Sequence, residues 1–130
     1  MTASNLATLN VAQQPRAPHS GKAAIEVNAA LDLARIHLAA AHRLAALHEL
    51  DEGIDNHFTV TVPGEHDQYL ILPFGLHWSE ARASDMMTFN EAGQTLSGSG
   101  PVELSAKCIH APIHRIAGVR VVMHTHQTWA

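Results

Sequence analysis

The chain holds one cysteine, Cys108, in 130 residues. An internal disulfide framework is therefore excluded, and a reducing compartment fits. Charged residues make up only 15% of the sequence, with 8 Lys+Arg and a net charge of −4. Lys and Arg form no cluster, which excludes a nucleic-acid surface, since that needs a basic patch. No apolar run reaches the ~18 residues of a membrane-spanning helix. Met1 to Ser20 has no basic start followed by a continuous apolar stretch, so it does not read as a secretory signal. Cytoplasm is the default expectation. No internal repeat is visible.

What is present suits a single domain with a core, at 46% hydrophobic residues. Residues 1–20 carry Gln13-Gln14-Pro15 and Pro18 without a sustained period, and read as a flexible arm. From about Ala23 to Leu50 the chain is rich in Ala and Leu and predicts a helix. Leu33, Ile36, Ala40, Leu44 and Leu47 recur at threes and fours as its apolar stripe. Ser20 or Gly21 would cap its start and Gly53 its end. Phe58–Val62 alternates and is β-branched, predicting a strand. A loop at Pro63–Asp67 returns it antiparallel to a strand at Tyr69–Leu72. Ser79–Ser84 reads as a turn or short helix, Met86–Phe89 as a short strand, and Gln94–Gly100 as a loop. Pro101 and Glu103 suit the start of a helix running through Ile109 towards Arg115, with a kink or early stop at Pro112. Cys108 falls in that segment with nothing to lower its pKa, so it is expected to be buried and inert.

Eleven histidines are the unusual feature. Val121-Val122-Met123-His124-Thr125-His126 reads as the end of a buried strand. Side chains two apart share a strand face, so His124 and His126 would project together, about 7 Å apart at the backbone. That is half of a metal site, because a catalytic zinc usually takes three protein ligands and an open position. The competing reading is two polar residues at a strand end, since a chain this rich in His supplies about one H-x-H by chance. His110 and His114 are four apart and would share a helix face, as a metal pair or as packed, hydrogen-bonded side chains. His37, His42 and His48 point to different sides of their helix and cannot share an ion. They are expected to face solvent or to be hydrogen-bonded.

The order of motifs resembles the N-terminal part of the class II aldolase/adducin family from about Leu33 to Ala130. It is carried by the first helix and the turn Glu52-Gly53-Ile54-Asp55-Asn56-His57-Phe58-Thr59. It continues through Leu72-Pro73-Phe74-Gly75, Ala83-Ser84-Asp85, Asn90-Glu91-Ala92-Gly93 and Ile109-His110-Ala111-Pro112-Ile113-His114, ending in the His124/His126 strand. The resemblance implies an α/β fold with a central, mostly antiparallel sheet flanked by helices, here as a partial domain over residues 21–130. It implies His124 and His126 as zinc ligands, with His110 and His114 in support. It also implies a substrate pocket near Asn56, His57, Gly75 and Ser105, and a small hydroxy-carbonyl substrate for lyase or epimerase chemistry. A homo-oligomer follows too. Actin binding does not, because adducins carry that in a basic tail that is not seen here.

Three positions depart from the family pattern. The third zinc His belongs well downstream of His126 and is missing, so the chain reads as a truncated member or one completed by another chain. The family's catalytic Glu falls on Ala106, leaving Glu103, about 60° around a helix, as the candidate substitute. The phosphate pocket matches at Gly75 and Ser105 but not at Phe74 and Leu104, which points to a ligand without phosphate. A non-catalytic association module and a non-functional fragment stand as the alternatives.

Overall fold

The computed structural model describes residues 21–127, so the arm expected at residues 1–20 lies outside the described part. Helix α1 spans Gly21–Leu47. Its buried face is Leu38, Ala39, His42 and Ala45. The stripe expected there faces solvent instead: Leu33, Ile36, Leu44 and Leu47 are 51%, 53%, 56% and 75% exposed. Both sets obey threes and fours, so the period could not choose between them. The sheet takes the face with small Ala39 and Ala45, which lets the helix approach Phe58 and Trp78 closely. Nor does Gly53 end the helix. Glu49 adopts a left-handed φ of 55°. The Leu50 N–H donates to Ala45 O at 3.0 Å and the Glu49 N–H to Ala46 O at 3.1 Å, the double closure of a Schellman turn.

Five strands follow: β1 His57–Thr61, β2 Gln68–Ile71, β3 Met87–Asn90, β4 Thr95–Ser97 and β5 Val121–His124. They form one sheet in the order β4-β3-β2-β1-β5, every pair antiparallel. β1 and β2 form the expected hairpin. β4 lies inside the stretch read as a loop. It is a short edge strand, exposed at all three residues and joined to β3 through an irregular register, so it shows no inward alternation to read. Two 3₁₀ turns, Trp78–Glu80 and Ala83–Asp85, fill the segment between β2 and β3 and drive Trp78 under α1.

Strand alternation splits the core between the two sheet faces. Phe58, Val62, Leu70 and Leu72 meet Leu38, Trp78 and Met86 on the α1 side. Tyr69, Ile71, Met87 and Phe89 meet Val102, Ala106 and Ala111 on the other. Each large side chain fully buried this way contributes about 1.5–3 kcal/mol. The sheet is thus the middle of three layers, as expected of a sheet flanked by helices.

The far layer is a π-turn, Ala106–His110, running into helix α2, Ala111–Ala117. The chain does not stop at Pro112 but stays helical through Ala117, with its winding widened just before the proline. The Ala111 N–H reaches back five residues to Ala106 O, and Pro112 sits in the first turn of α2, where its missing donor costs nothing. Ala106 and His110 are buried against the sheet. Cys108 lies between them on the opposite side and is exposed, not buried as expected. Gly118 ends α2 at φ 65° with its N–H on His114 O. β5 is not a buried strand either. It is the outer strand beside β1, with Val121 and Met123 about half exposed. The exposed edge foreseen for it is present among the described residues. Among the described residues no helix is long and apolar enough to cross a membrane.

Candidate functional site

Strand β1 reads His57-Phe58-Thr59-Val60-Thr61, so its alternation puts Phe58 in the apolar layer and His57, Thr59 and Thr61 on the other face. His110 and His114, four apart, meet that row. The Thr59 hydroxyl lies 2.8 Å from His110 Nδ1 and 2.8 Å from His114 Nε2. The i, i+4 pair therefore shares a hydroxyl, the hydrogen-bonded alternative foreseen for it. His110 Nε2 lies 3.0 Å from His57 Nδ1. On its other side, His57 Nε2 is 2.5 Å from Ser105 Oγ and 3.3 Å from Glu103 Oε2. The Ser105 hydroxyl donates to Glu103 Oε2, which also accepts the Ala106 N–H at 3.0 Å.

These contacts make one continuous polar line with an acceptor at each end. Val119 O lies 2.8 Å from His114 Nδ1, so that nitrogen must donate. His114 Nε2 then accepts from Thr59, Thr59 accepts from His110 Nδ1, and His110 Nε2 accepts from His57 Nδ1. At the other end Ser105 donates to the Glu103 carboxylate. Both directions meet at His57 Nε2 and Ser105 Oγ, where two lone pairs face each other unless one more proton is present. The line thus holds a place for a single mobile proton between His57, Ser105 and Glu103.

The electrostatics follow from burial. His110 is pushed down to about 3 by desolvation, reinforced by His57, His114 and His124. His57 and His114 are lowered chiefly by desolvation, with Glu103 and the Val119 carbonyl pulling the other way. Burial would raise the Glu103 carboxyl, but the Ser105 hydroxyl, the Ala106 amide and His57 outweigh it and hold it below the usual range.

His124, at the end of β5, pairs with His57 across the sheet, and their rings stack with centroids 5.0 Å apart. The strand ends there, so His126 does not share a regular strand face with His124. Its ring turns back all the same, and the two Nε2 atoms lie 2.6 Å apart. Asn56 secures this tail: its Oδ1 accepts the His126 N–H and the Glu52 N–H, both at 3.1 Å. The Glu52 carboxylate lies 3.3 Å from His126 Nδ1. A carboxylate behind one ring nitrogen fixes the tautomer and leaves Nε2 as the ligating atom.

Two imidazole nitrogens on a tetrahedral zinc lie about 3.3 Å apart, given bonds near 2.0–2.1 Å, so the rings need part only slightly to hold an ion. Donor type, convergence and backing carboxylate all fit. Among the described residues no group of three or more His, Cys, Asp or Glu side chains surrounds one ion position. The protein donors here are therefore the pair alone.

Of the other expected pocket residues, Ser105, Asn56 and His57 gather within this region. Gly75 is exposed, at φ 99° with open space beside it. Its loop reaches the site indirectly, through the Phe74 N–H on Pro101 O at 3.0 Å. Leu104 is 70% exposed. Sequence reasoning missed Thr59 and Glu52. The polar alternation of β1 opposite an i, i+4 His pair was the available signal for Thr59. Glu52 had none, since its role depends on a contact 74 residues away.

A family model for the Class II Aldolase and Adducin N-terminal domain matches residues 36–130. A protein of Pseudomonas aeruginosa grouped with the class 2 aldolases is 39% identical over 104 residues, which cover 78% of this chain and 39% of that protein. Among solved structures, an aldolase II superfamily protein from Pseudomonas syringae superposes with a TM-score of 0.74 at 32% identity, over 83% of this chain and 44% of that one. An L-fuculose 1-phosphate aldolase from Glaciozyma antarctica gives 0.75 at 27% identity, over 88% and 46%. The chain thus spans about two fifths of the length of these three proteins. By its matched residues and its three-layer sheet, this chain belongs to the class II aldolase/adducin family.

Proposed function

We propose that the site binds a divalent zinc ion through His124 and His126. It then serves carbon–carbon lyase or epimerase-type chemistry on a small hydroxy-carbonyl compound, weakly in this chain alone and fully where further ligands are supplied. The observation that carries this reading is the convergence of the two Nε2 atoms with Glu52 behind His126. Bound zinc supplies Lewis acidity towards a carbonyl oxygen. The chain's own residues do the rest. Asn56 holds the His126 backbone in place, and His57 stacks under His124 to fix its ring plane. His57, Ser105 and Glu103 offer a proton acceptor next to that ring: with the imidazole neutral and the carboxyl ionised, the line has room for one proton taken from a reacting group.

Titration calorimetry with zinc at neutral pH tests this. We expect one ion per chain with proton release, and loss of at least about tenfold in affinity in His126→Ala. No zinc uptake by the folded protein sinks the proposal.

A second reading, association without catalysis, is favoured by the exposed apolar row on α1. Leu33, Ile36, Leu44 and Leu47 form a face that a second copy would cover. The two readings are compatible, since a homo-oligomer can also carry the site.

A further inference from the structure

His114 stands at the opposite end of the polar line from the ring that stacks on His124. Five neutral groups make up the line: His114, Thr59, His110, His57 and Ser105. Burial lowers all three imidazoles, so they are neutral at pH 7. Each group brings one proton, while the Val119 carbonyl and the Glu103 carboxylate at the two ends bring none. Six junctions are thus served by five protons, and one junction stays empty. Facing lone pairs cost most where water cannot reach them. Thr59, His110, His57 and His114 are 0%, 1%, 4% and 5% exposed, whereas Ser105 and Glu103 are only partly buried. The empty junction is therefore driven outward, to His57 Nε2 and Ser105.

We infer that His114 is a positioning residue: anchored on the Val119 carbonyl, it acts through Thr59 and His110 to keep the His57 proton on Nδ1, so that Nε2 offers its lone pair at the site. Val119 O can only accept, which makes His114 Nε2 the lone pair and draws the single Thr59 proton towards it. The Tyr69 ring, stacked on His114 at 4.6 Å with 13° between planes, holds the imidazole in that orientation. Thr59 is left as an acceptor for His110, and His110 as an acceptor for His57. Remove the His114 lone pair and the Thr59 proton turns to His110 Nδ1 instead. His110 then donates from Nε2 to His57 Nδ1, and His57 from Nε2 to Ser105, which fills every remaining junction. The His57 lone pair now faces inward, and the site has lost its proton acceptor.

This inference rests on the proposed function only for the use made of that lone pair. Its test needs neither metal nor substrate. The ring nitrogens are read in long-range ¹H–¹⁵N spectra of the metal-free full chain at about pH 8, where histidine is neutral. In wild type, His57 and His110 should both carry the proton on Nδ1. His114→Phe keeps the ring stacked on Tyr69 and removes the lone pair. It should move the proton to Nε2 in both His57 and His110, while amides of the opposite layer such as Leu38 and Leu72 stay in place. A merely structural role would not exchange the two nitrogens of a ring three hydrogen bonds away. Should His114→Phe be unfolded, Thr59→Val decides on the same readout, with Thr59→Ser, which keeps the hydroxyl, retaining the wild-type pattern. A wild-type His57 protonated on Nε2 overturns the inference, as does an unchanged tautomer in a folded variant. Zinc binding at His124 and His126 is measured separately. Its failure with the tautomer result intact removes the proposed function and leaves the role of His114 standing.

Discussion

His42 makes the sharpest quantitative prediction. It is fully buried on α1, with its Nδ1 2.7 Å from Leu38 O and Phe58 and Trp78 each 5.0 Å away by ring centroids. Its Nε2 has no partner. Desolvation pushes its pKa from 6.5 to about 4 despite the Leu38 carbonyl, which raises it. The unfolded chain therefore binds a proton that the folded chain refuses, and stability must fall with acid. The contribution is complete above the unfolded value and is lost as pH drops towards 4. Between about pH 8 and pH 4.5 the loss from this one group is about 2.5 kcal/mol. Leu is close in volume and cannot titrate. His42→Leu should therefore remove that increment while the other buried histidines act equally on both proteins. The assay is urea unfolding of wild type and variant at both pH values. A double difference below about 0.5 kcal/mol would refute the buried-neutral assignment.

Thr59→Val keeps the β-branched shape but leaves His110 Nδ1 and His114 Nε2 without a partner. Denaturant unfolding should show a loss of about 2–4 kcal/mol. Glu49→Gly relieves the left-handed φ at the end of α1 and should stabilise by about 0.5–1 kcal/mol, read as a rise of roughly 3 °C in Tm. If the α1 face mediates association, Leu44→Asp with Leu47→Asp should shift the protein to a smaller species in sedimentation velocity without changing its circular dichroism. An unchanged sedimentation coefficient would dismiss that interface.

The sheet was legible because β1, β2 and β3 pair locally and carry strong alternation. β4 was not, because no residue of Thr95–Ser97 is buried and so the strand leaves no pattern. The helix at Gly21–Leu47 was legible as a helix but not in its orientation. An Ala/Leu-rich segment offers several apolar faces, and only the shapes of Phe58 and Trp78 select one. The histidine pair at the end of β5 was found by its spacing, though the convergence of its nitrogens comes from a turn back after the strand and not from strand geometry. The polar line was half legible. His57, Ser105, His110 and His114 could be named singly, but the hydroxyl joining two of them belongs to a threonine that looks like any strand residue. Glu103 stood out only as a substitute acid, and its hold on the Ser105 and Ala106 donors needed coordinates.

The π-turn over Ala106–His110 carries one residue more than an α-helix would place there. Deleting a single residue from it would restore regular α winding with the later side chains nearly in phase, because four α residues turn the chain about as far as five π residues. The ring of Pro112 would then be pressed against the carbonyl four residues back, which the wider turn now spares. The surplus residue is therefore what lets a proline lie within a helix whose His110 and His114 still reach Thr59. Substitutions at exposed Cys108 should pass almost unnoticed, while one codon lost beside it would strain the turn at Pro112.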